Sequence, residues 1–509
     1  MKKIRISGIA AILSAFLFIF NSCTKDFESI NKDPNNAGLD KAAPDMLLTN
    51  AIESTTDRVQ EIFLGEEMGN CWAQHEAKVQ YTDEDRYIYR TSVVNATWSG
   101  FYATNGMDVQ SLYNVAVAKH HDNYKGVALV LKSYISSVLT DLFGPVPYTQ
   151  AWSGSANTLP AYDSQEFIYK DIIAKLDTAN TALTVSGSAI SGDILYNNDI
   201  LKWKKFANSL RLRLLLRMSA KDEAFVTAEM TKMVSQPGIY PIFISNDDNA
   251  ALAYLGSAPN NHPLNENRKT RDDHRVSKTL VDIMWTNSPN LDYRITVYAQ
   301  QYAAGKFEGL PNGLTSSQAA SYKENGIKNT SKVGAYFLEA TAPGMLMSYA
   351  ELQFILAEAT FKNYITGSAI TAEDYYYKGI YGSYAQFGAT LVANSQSFNK
   401  IVMTTTDEFA ADYIANDIYA WDATKALELI GTQRWLATFD QGLQSWFEWR
   451  RSGYPVLTAA VAGTNGGKIP VRVPFPTDEA SRNPTSLTAG VVLLGGADDL
   501  NTRVWWDVQ

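Results

Sequence analysis

The chain has 509 residues, 12% of them aromatic, and a formal net charge of −9, with acids and bases scattered along its length. No basic block is available to track a phosphate backbone, so nucleic-acid binding is excluded as its main role. Two cysteines cannot build a disulfide framework, and a chain this long is stable through a large core instead.

The N-terminus reads as an export leader. Lys2, Lys3 and Arg5 precede an apolar run over residues 9–20 broken only by Ser14, too short to cross a bilayer and the length of a signal-peptide core. Ser22 stands before Cys23, so residues 1–22 are expected to be removed and Cys23 to become a lipidated N-terminus, in a pattern similar to a lipobox. Phe20 and Asn21 replace the leucine and small residue usual there, which leaves ordinary signal-peptidase cleavage open. Thr24, Lys25, Asp26, Phe27 and Glu28 follow, similar to the lysine-plus-acid sequence of surface-exposed lipoproteins. With Cys23 lipidated, Cys71 has no intramolecular partner.

Helical periodicity dominates the remainder. Val127, Val130, Leu131, Tyr134 and Val138 recur at three- and four-residue steps, and Gly144 and Pro145 end the run. A weaker helix covers 166–183. Trp203, Phe206, Ala207, Leu210, Leu214 and Met218 form a second stripe, with Lys204, Lys205, Arg211, Arg213 and Arg217 between them, which predicts an amphipathic helix with a basic outer face. Weaker readings follow over 222–235 and 276–286. Residues 241–275, with Pro241, Pro259 and Pro263 among several asparagines, read as loop with one strand, and 305–333 as an exposed Gly, Ser and Asn-rich excursion. After Pro343, Tyr349, Leu352, Ile355, Leu356 and Ala359 make a third stripe, with Glu351 and Glu358 seven apart on one side. A weaker helix spans 373–388. A fourth begins near Thr432, carries Trp435, Phe439, Leu443, Trp446 and Phe447, and closes at Arg450, Arg451, Gly453 and Pro455. The prolines of 463–486 exclude a central strand. This order predicts a mainly α protein of antiparallel helix pairs stacked like tetratricopeptide units, with irregular loops and a few short strands. Residues 23–509 are expected to form one domain: a helical scaffold over about 40–240 and 343–455, a loop-rich excursion over about 241–342, and a Pro- and Gly-rich segment over 456–509.

Catalytic motifs are missing. His75 and Glu76 are followed by Val79 where HExxH needs its second histidine, and neither GxSxG nor a Walker loop occurs. A carboxylate-pair glycosidase leaves no local spacing and stays open. His120, His121 and Asp122 read as a solvated helix end, Asp83, Glu84 and Asp85 as an exposed acidic turn, and Asn246 to Asn249 likewise, so no metal and no cofactor is expected. Trp203, Trp435 and Trp446 lie on apolar stripes and are assigned to the core. Trp72, Tyr81 and Trp98 lie in a polar stretch and are the ring candidates for stacking on a ligand's apolar face.

Several motifs together resemble one family. Residues 138–151, VLTDLFGPVPYTQA, are similar to the Asp-x-Phe-Gly turn leading into Val-Pro-Tyr of the SusD/RagB outer-membrane lipoproteins. Residues 203–218, WKKFANSLRLRLLLRM, look like their Trp-x-Lys-Phe-Ala-Asn-Ser-Leu-x-x-Arg helix. Further matches are RDDHRVSKTLVD at 271–282, MLMSYAELQFILAEA at 345–359, the 433–455 helix ending WFEWRRSGYP, and IPVRVPFPTDEASRNP at 469–484. The resemblance implies a SusD-like helical scaffold and a cell-surface, lipid-anchored protein that binds an oligosaccharide or peptide for a SusC-like TonB-dependent transporter and catalyses nothing. By position in the family's variable region, Asn260, Asn261 and Arg268 join the ligand-binding candidates. A secreted glycan-degrading enzyme and a structural surface protein are the competing classes.

Overall fold

The structure, a computed structural model, describes residues 42–286, 292–323, 325–396 and 419–509, together with 405, 407, 408 and 411. The expected leader and the lipid-bearing Cys23 lie outside the described residues.

Helices carry the architecture. α1 (Pro44–Val59) leads through a π-helical turn, Ile62–Asn70, to β1 (Glu76–Lys78). α2 (Thr91–Ser99), α3 (Gly106–Ala118) and α4 (Asp122–Phe143) follow, then β2 (Val146–Pro147), β3 (Tyr162–Asp163), α5 (Gln165–Ala182), α6 (Ile200–Arg217) and α7 (Glu223–Ser235). An irregular region holds β4 (Ala250–Ala253), α8 (Pro263–Arg268) and β5 (His274–Val276). β6 (Pro343–Met347), α9 (Tyr349–Phe361), α10 (Ala372–Ser395), α11 (Ala426–Ala437), α12 (Gly442–Ser452) and α13 (Pro484–Leu494) complete the labelled elements, with shorter helical turns between. Successive helices pack in pairs, α3 on α4, α4 on α5, α5 on α6, α9 on α10 and α11 on α12. Among the described residues the strands form three two-stranded antiparallel ribbons, β1 with β5, β2 with β3 and β4 with β6. Each ribbon joins segments distant in sequence or clips a loop to the helices. The fold is a mainly α scaffold of tetratricopeptide-type pairs with irregular loops.

The predicted stripes lie in α4, α6 and α9, and local chemistry sets their ends. Asp199 and Ser348 cap α6 and α9 by accepting from the backbone N–H of Lys202 and Glu351. Gly144, at φ 86°, ends α4 in a conformation that strains other residues. The weaker readings over 166–183, 222–235 and 373–388 fall on α5, α7 and α10, whereas 276–286 holds a four-residue helix, Lys278–Val281, running into the π-turn Asp282–Thr286. Three readings need correction. The helix from Thr432 is two, α11 and α12, broken over 438–441 with Asp440 at φ 66°. The acidic turn is not exposed: Glu84 and Asp85 are buried, and Asp85 accepts from the backbone of Lys78 and Gly313 and from Asn312. The basic outer face of α6 is largely interior, because Arg211, Arg213 and Arg217 are buried against acids of neighbouring elements.

That last correction exposes the network holding the scaffold together. Glu351 on α9 is fully buried and accepts from Arg213 of α6, at 2.9 Å from Nε, from Arg434 of α11 at 3.0 Å and from Gln444 of α12 at 2.8 Å. Glu358, two turns on, pairs with Arg451 of α12 at 2.8 Å and with Lys362 at 3.1 Å. Arg217 meets Asp141 near the end of α4, and that carboxylate also accepts from the Trp506 indole at 2.8 Å and from the Tyr169 hydroxyl. Backbones come closest where the 62–70 turn crosses α12: a Cβ on Gly69 would stand 2.6 Å from the Leu443 nitrogen, and one on Gly442 2.2 Å from that of Asn70. Only glycine permits that approach.

These groups set the acid limit of the fold. Against the cost of burial, Arg451 and then Lys362 pull the Glu358 carboxyl down to about 2. A depressed carboxylate contributes stability that is complete above its ordinary value and lost as pH falls toward 2. Burial lowers His75 to about 3 and His262 to about 4, and these neutral imidazoles also lose stability as pH falls below about 6.5, where the unfolded chain takes up their protons. Burial raises Asp85 to about 6 and Glu67 to about 7, which acts in the opposite sense between pH 7 and about 4.5. The melting temperature is therefore expected to change little from pH 7 to 5 and to fall steeply below about 4.5, with Glu358 alone contributing roughly 3 kcal/mol of the loss. Calorimetry across this range checks it, and a flat profile down to pH 3 would contradict it.

Candidate functional site

α1 buries Leu48, Ala51, Ile52, Thr55, Thr56 and Val59 against the core. Thr49, Glu53 and Asp57 recur every fourth residue on another face. Opposite this face runs the chain after β4, closed by the Leu255 N–H donating to the Asn260 carbonyl at 2.8 Å, and then α8. Two hollows lie between these walls, one turn of α1 apart. One, of about 520 Å³, is lined by Thr49, Glu53, Ile194, Leu255 and Asn260 among others. The second, of about 590 Å³, has Asp57, Glu61, Phe63, Asn261, Glu266 and Asn267.

The walls alternate apolar and polar groups. Ile194, Leu255 and Phe63 are exposed large hydrophobic side chains, and Arg90 lies over the Phe63 ring at 4.4 Å. The Tyr254 hydroxyl donates to Asp57 at 2.7 Å. Burial raises the carboxyls of Glu53, Asp57 and Glu61, and the charge of Asp57 adds to the effect at Glu53. Hydrogen bonds from Lys269 and Asn261 lower that of Glu266. Apolar platforms beside amides and carboxylates are what a sugar's C–H faces and hydroxyls need. No Lys or Arg lines either hollow among the described residues.

The candidates read from sequence are not gathered in one place. Asn260 lines the first hollow and Asn261 the second, although Asn261 is 5% exposed and its amide donates to Asn265 and Glu266 at 2.9 and 3.0 Å. Arg268 ends α8 with its guanidinium 3.9 Å from the buried Glu76. Tyr81, 62% exposed, stacks under Arg271 at 4.7 Å and lines neither hollow. Trp72 is corrected from ligand surface to core: it is fully buried, donates to the Glu84 carbonyl at 2.8 Å and meets Trp446 edge-on at 5.0 Å. Trp98 is also buried, against Tyr102, Phe143 and Tyr162. Part of its surface lines a separate hollow of about 460 Å³ with Tyr102, Met107, Trp152 and Glu479. Sequence reasoning missed Glu53, Asp57, Phe63 and Leu255, and the four-residue spacing of Thr49, Glu53 and Asp57 was the signal available.

Outside both hollows, three acidic side chains lie together in the interior. Glu66, Glu76 and Asp440, all buried, place carboxylate oxygens within 4.8 Å of one another. Burial and the neighbouring Glu66 charge hold the Glu76 and Asp440 carboxyls well above their ordinary values.

A family model described as starch-binding, associating with outer membrane, and SusD-like, matches residues 34–476. Among solved structures, a chitin-binding protein is 26% identical with a TM-score of 0.79, over 92% of this chain and 100% of its own. A SusD homologue of Bacteroides fragilis is 26% identical with a TM-score of 0.74 over the same shares. A chitin-binding SusD homologue of Flavobacterium johnsoniae shares the fold at 24% identity and a TM-score of 0.73, over 92% of this chain and 98% of its own. No curated protein matches the chain.

Proposed function

The chain belongs to the SusD-like family of outer-membrane-associated binding proteins, and from that premise we propose that it captures a neutral oligosaccharide in the groove between α1 and the 252–267 segment. The observation that carries this reading is the alignment of Thr49, Glu53 and Asp57 along one wall, facing Leu255 and Asn260 with Phe63 at the far end. Carboxylates and amides bond sugar hydroxyls, while the apolar side chains accept C–H faces. Glu61 and Glu266 are paired with Arg58 and Lys269, so Glu53 and Asp57 are the carboxylates of this wall that disfavour anionic polymers, and uncharged hexose and N-acetylhexosamine chains fit best. The starch of the family description and the chitin of a relative make malto- and chito-oligosaccharides the probes to use. Cys23 tethers the protein to the outer membrane by lipid, facing the cell exterior, and the captured sugar passes to a SusC-like TonB-dependent transporter. Capture without turnover completes this role.

Titration calorimetry with both oligosaccharide series tests the reading, and absence of saturable binding to either counts against it. Phe63→Ala is expected to weaken binding tenfold or more, about 1.4 kcal/mol, and to lower the melting temperature by a few degrees at most, because the ring is 39% exposed and packs against Arg90 at 4.4 Å. A second reading has one specific support: raised carboxyls at Glu53 and Asp57 are what a glycosidic general acid needs. Release of new reducing ends during prolonged incubation selects the enzyme, and recovery of intact sugar selects capture.

A further inference from the structure

β2 and β3 pair antiparallel, Val146 with Asp163 and Pro147 with Tyr162, and so close residues 148–161 into a compact loop. The loop is tied internally. Asp163 accepts from the Tyr148 and Thr149 N–H groups at 3.2 and 2.7 Å, and the Gln150 side-chain oxygen accepts from the Asn157 amide at 2.9 Å and the Ala161 N–H at 3.0 Å. Within it Trp152 sits at φ 56°, where a side chain of its size is strained. Strained residues gather at ligand clamps. The indole has a prepared seat: its N–H donates to the Phe101 carbonyl at 3.3 Å, and a Cβ at Gly106 would collide with the ring nitrogen, so glycine there is what admits it. The half-buried Tyr102 ring lies 5.7 Å from Trp152 and 4.8 Å from Trp98, and its hydroxyl donates to the Pro147 carbonyl at 2.7 Å.

The hollow of about 460 Å³ lies between this loop and the 98–107 segment. Its lining joins the rings of Trp98, Tyr102 and Trp152 and the Met107 thioether to the polar groups of Gln150, Ser153, Asn157 and Glu479. Among the described residues no Lys or Arg lines it, and it shares no lining residue with either hollow of the groove. We propose that this hollow is a second carbohydrate site, taking a short, neutral N-acetylhexosamine oligosaccharide; it rests on the reading that this chain captures sugars, but not on the groove. Sites for small ligands span about 300–1,000 Å³, so this one, near the lower end, suits a few sugar rings and not a long chain. Rings and thioether offer apolar contact to an acetyl methyl and to C–H groups, while the side-chain oxygens accept from hydroxyls and from the acetamide N–H. Glu479 already accepts from the Tyr162 hydroxyl at 2.9 Å, and burial raises its carboxyl. A carboxylate with no cation beside it in the lining turns anionic sugars away.

Tryptophan emission reads this site, since Trp98 and Trp152 line the hollow and no tryptophan lines the other two. The purified protein is titrated with N,N′-diacetylchitobiose and, in parallel, with maltose, by emission and by calorimetry. Diacetylchitobiose is expected to give a saturable change in emission, with maltose at least tenfold weaker. Phe63→Ala is expected to leave that response within a factor of two. Ala103→Phe, at an exposed position of the lining, fills the hollow, so it is expected to weaken the emission response tenfold or more while leaving the Phe63-sensitive heat unchanged. Should that variant fail to fold, Glu479→Gln is expected to weaken the response at least fivefold. No emission change in the wild type would overturn the proposal, as would maltose binding as tightly, or a response lost in Phe63→Ala and kept in Ala103→Phe. A response that follows Ala103→Phe with no Phe63-sensitive heat upholds this site and counts against the groove.

Discussion

Glu351→Ala is expected to cost about 3–5 kcal/mol of stability, the range for breaking a buried ion pair by removing one partner. The loss exceeds that of a surface pair because Glu351 is fully buried and accepts from Arg213, Arg434 and Gln444 together. Alanine leaves two buried guanidiniums deprived of this carboxylate. Arg434 keeps Glu448, at 2.9 Å, whereas Arg213 keeps the Leu346 carbonyl at 3.0 Å. Urea unfolding measures the effect as a lower midpoint at unchanged slope. A loss below about 1 kcal/mol would place the network with ordinary surface pairs.

Trp72→Ala is expected to have an effect of similar size, about 3–5 kcal/mol, through lost burial and the cavity left beside Trp446. Trp72→Phe separates two contributions, since it keeps much of the packing but strips the Glu84 carbonyl of its indole donor, a loss of about 1–3 kcal/mol. Oligosaccharide affinity of the folded alanine variant is expected to stay within a factor of two of wild type, because the ring lines neither hollow. Strong loss of affinity with unchanged melting would return Trp72 to the ligand surface.

What the sequence disclosed, and what it hid, follows from one assumption: polar residues face water. Where that holds, as along α5, spacing located the helix, and along α4 and α9 the apolar repeat located them although Asp141, Glu351 and Glu358 are buried. Around Trp72 it fails, because Glu66, Glu67, Asn70, Gln74, His75, Glu76 and Lys78 are all buried, so the polar company of the ring signals an interior network instead of a surface. The arginines of α6 mislead in the same way. Asn260 was legible from its loop, but the wall opposite it was not: Glu53 and Asp57 look like an ordinary solvated helix face until tertiary packing brings the 252–267 segment across them. Phe63 lies in a π-turn whose widened spacing defeats a search at 3.6 residues per turn.

The crossing of Gly69 and Gly442 bears on how capture proceeds. With no side chain between them, the 62–70 turn has no slack to swing, and Phe63 at its start is presented on a seat already in place. A sugar captured as proposed therefore meets a preorganised receptor. Little of its contact energy is spent on immobilising protein, so modest contacts suffice for retention and release needs no hinge to open.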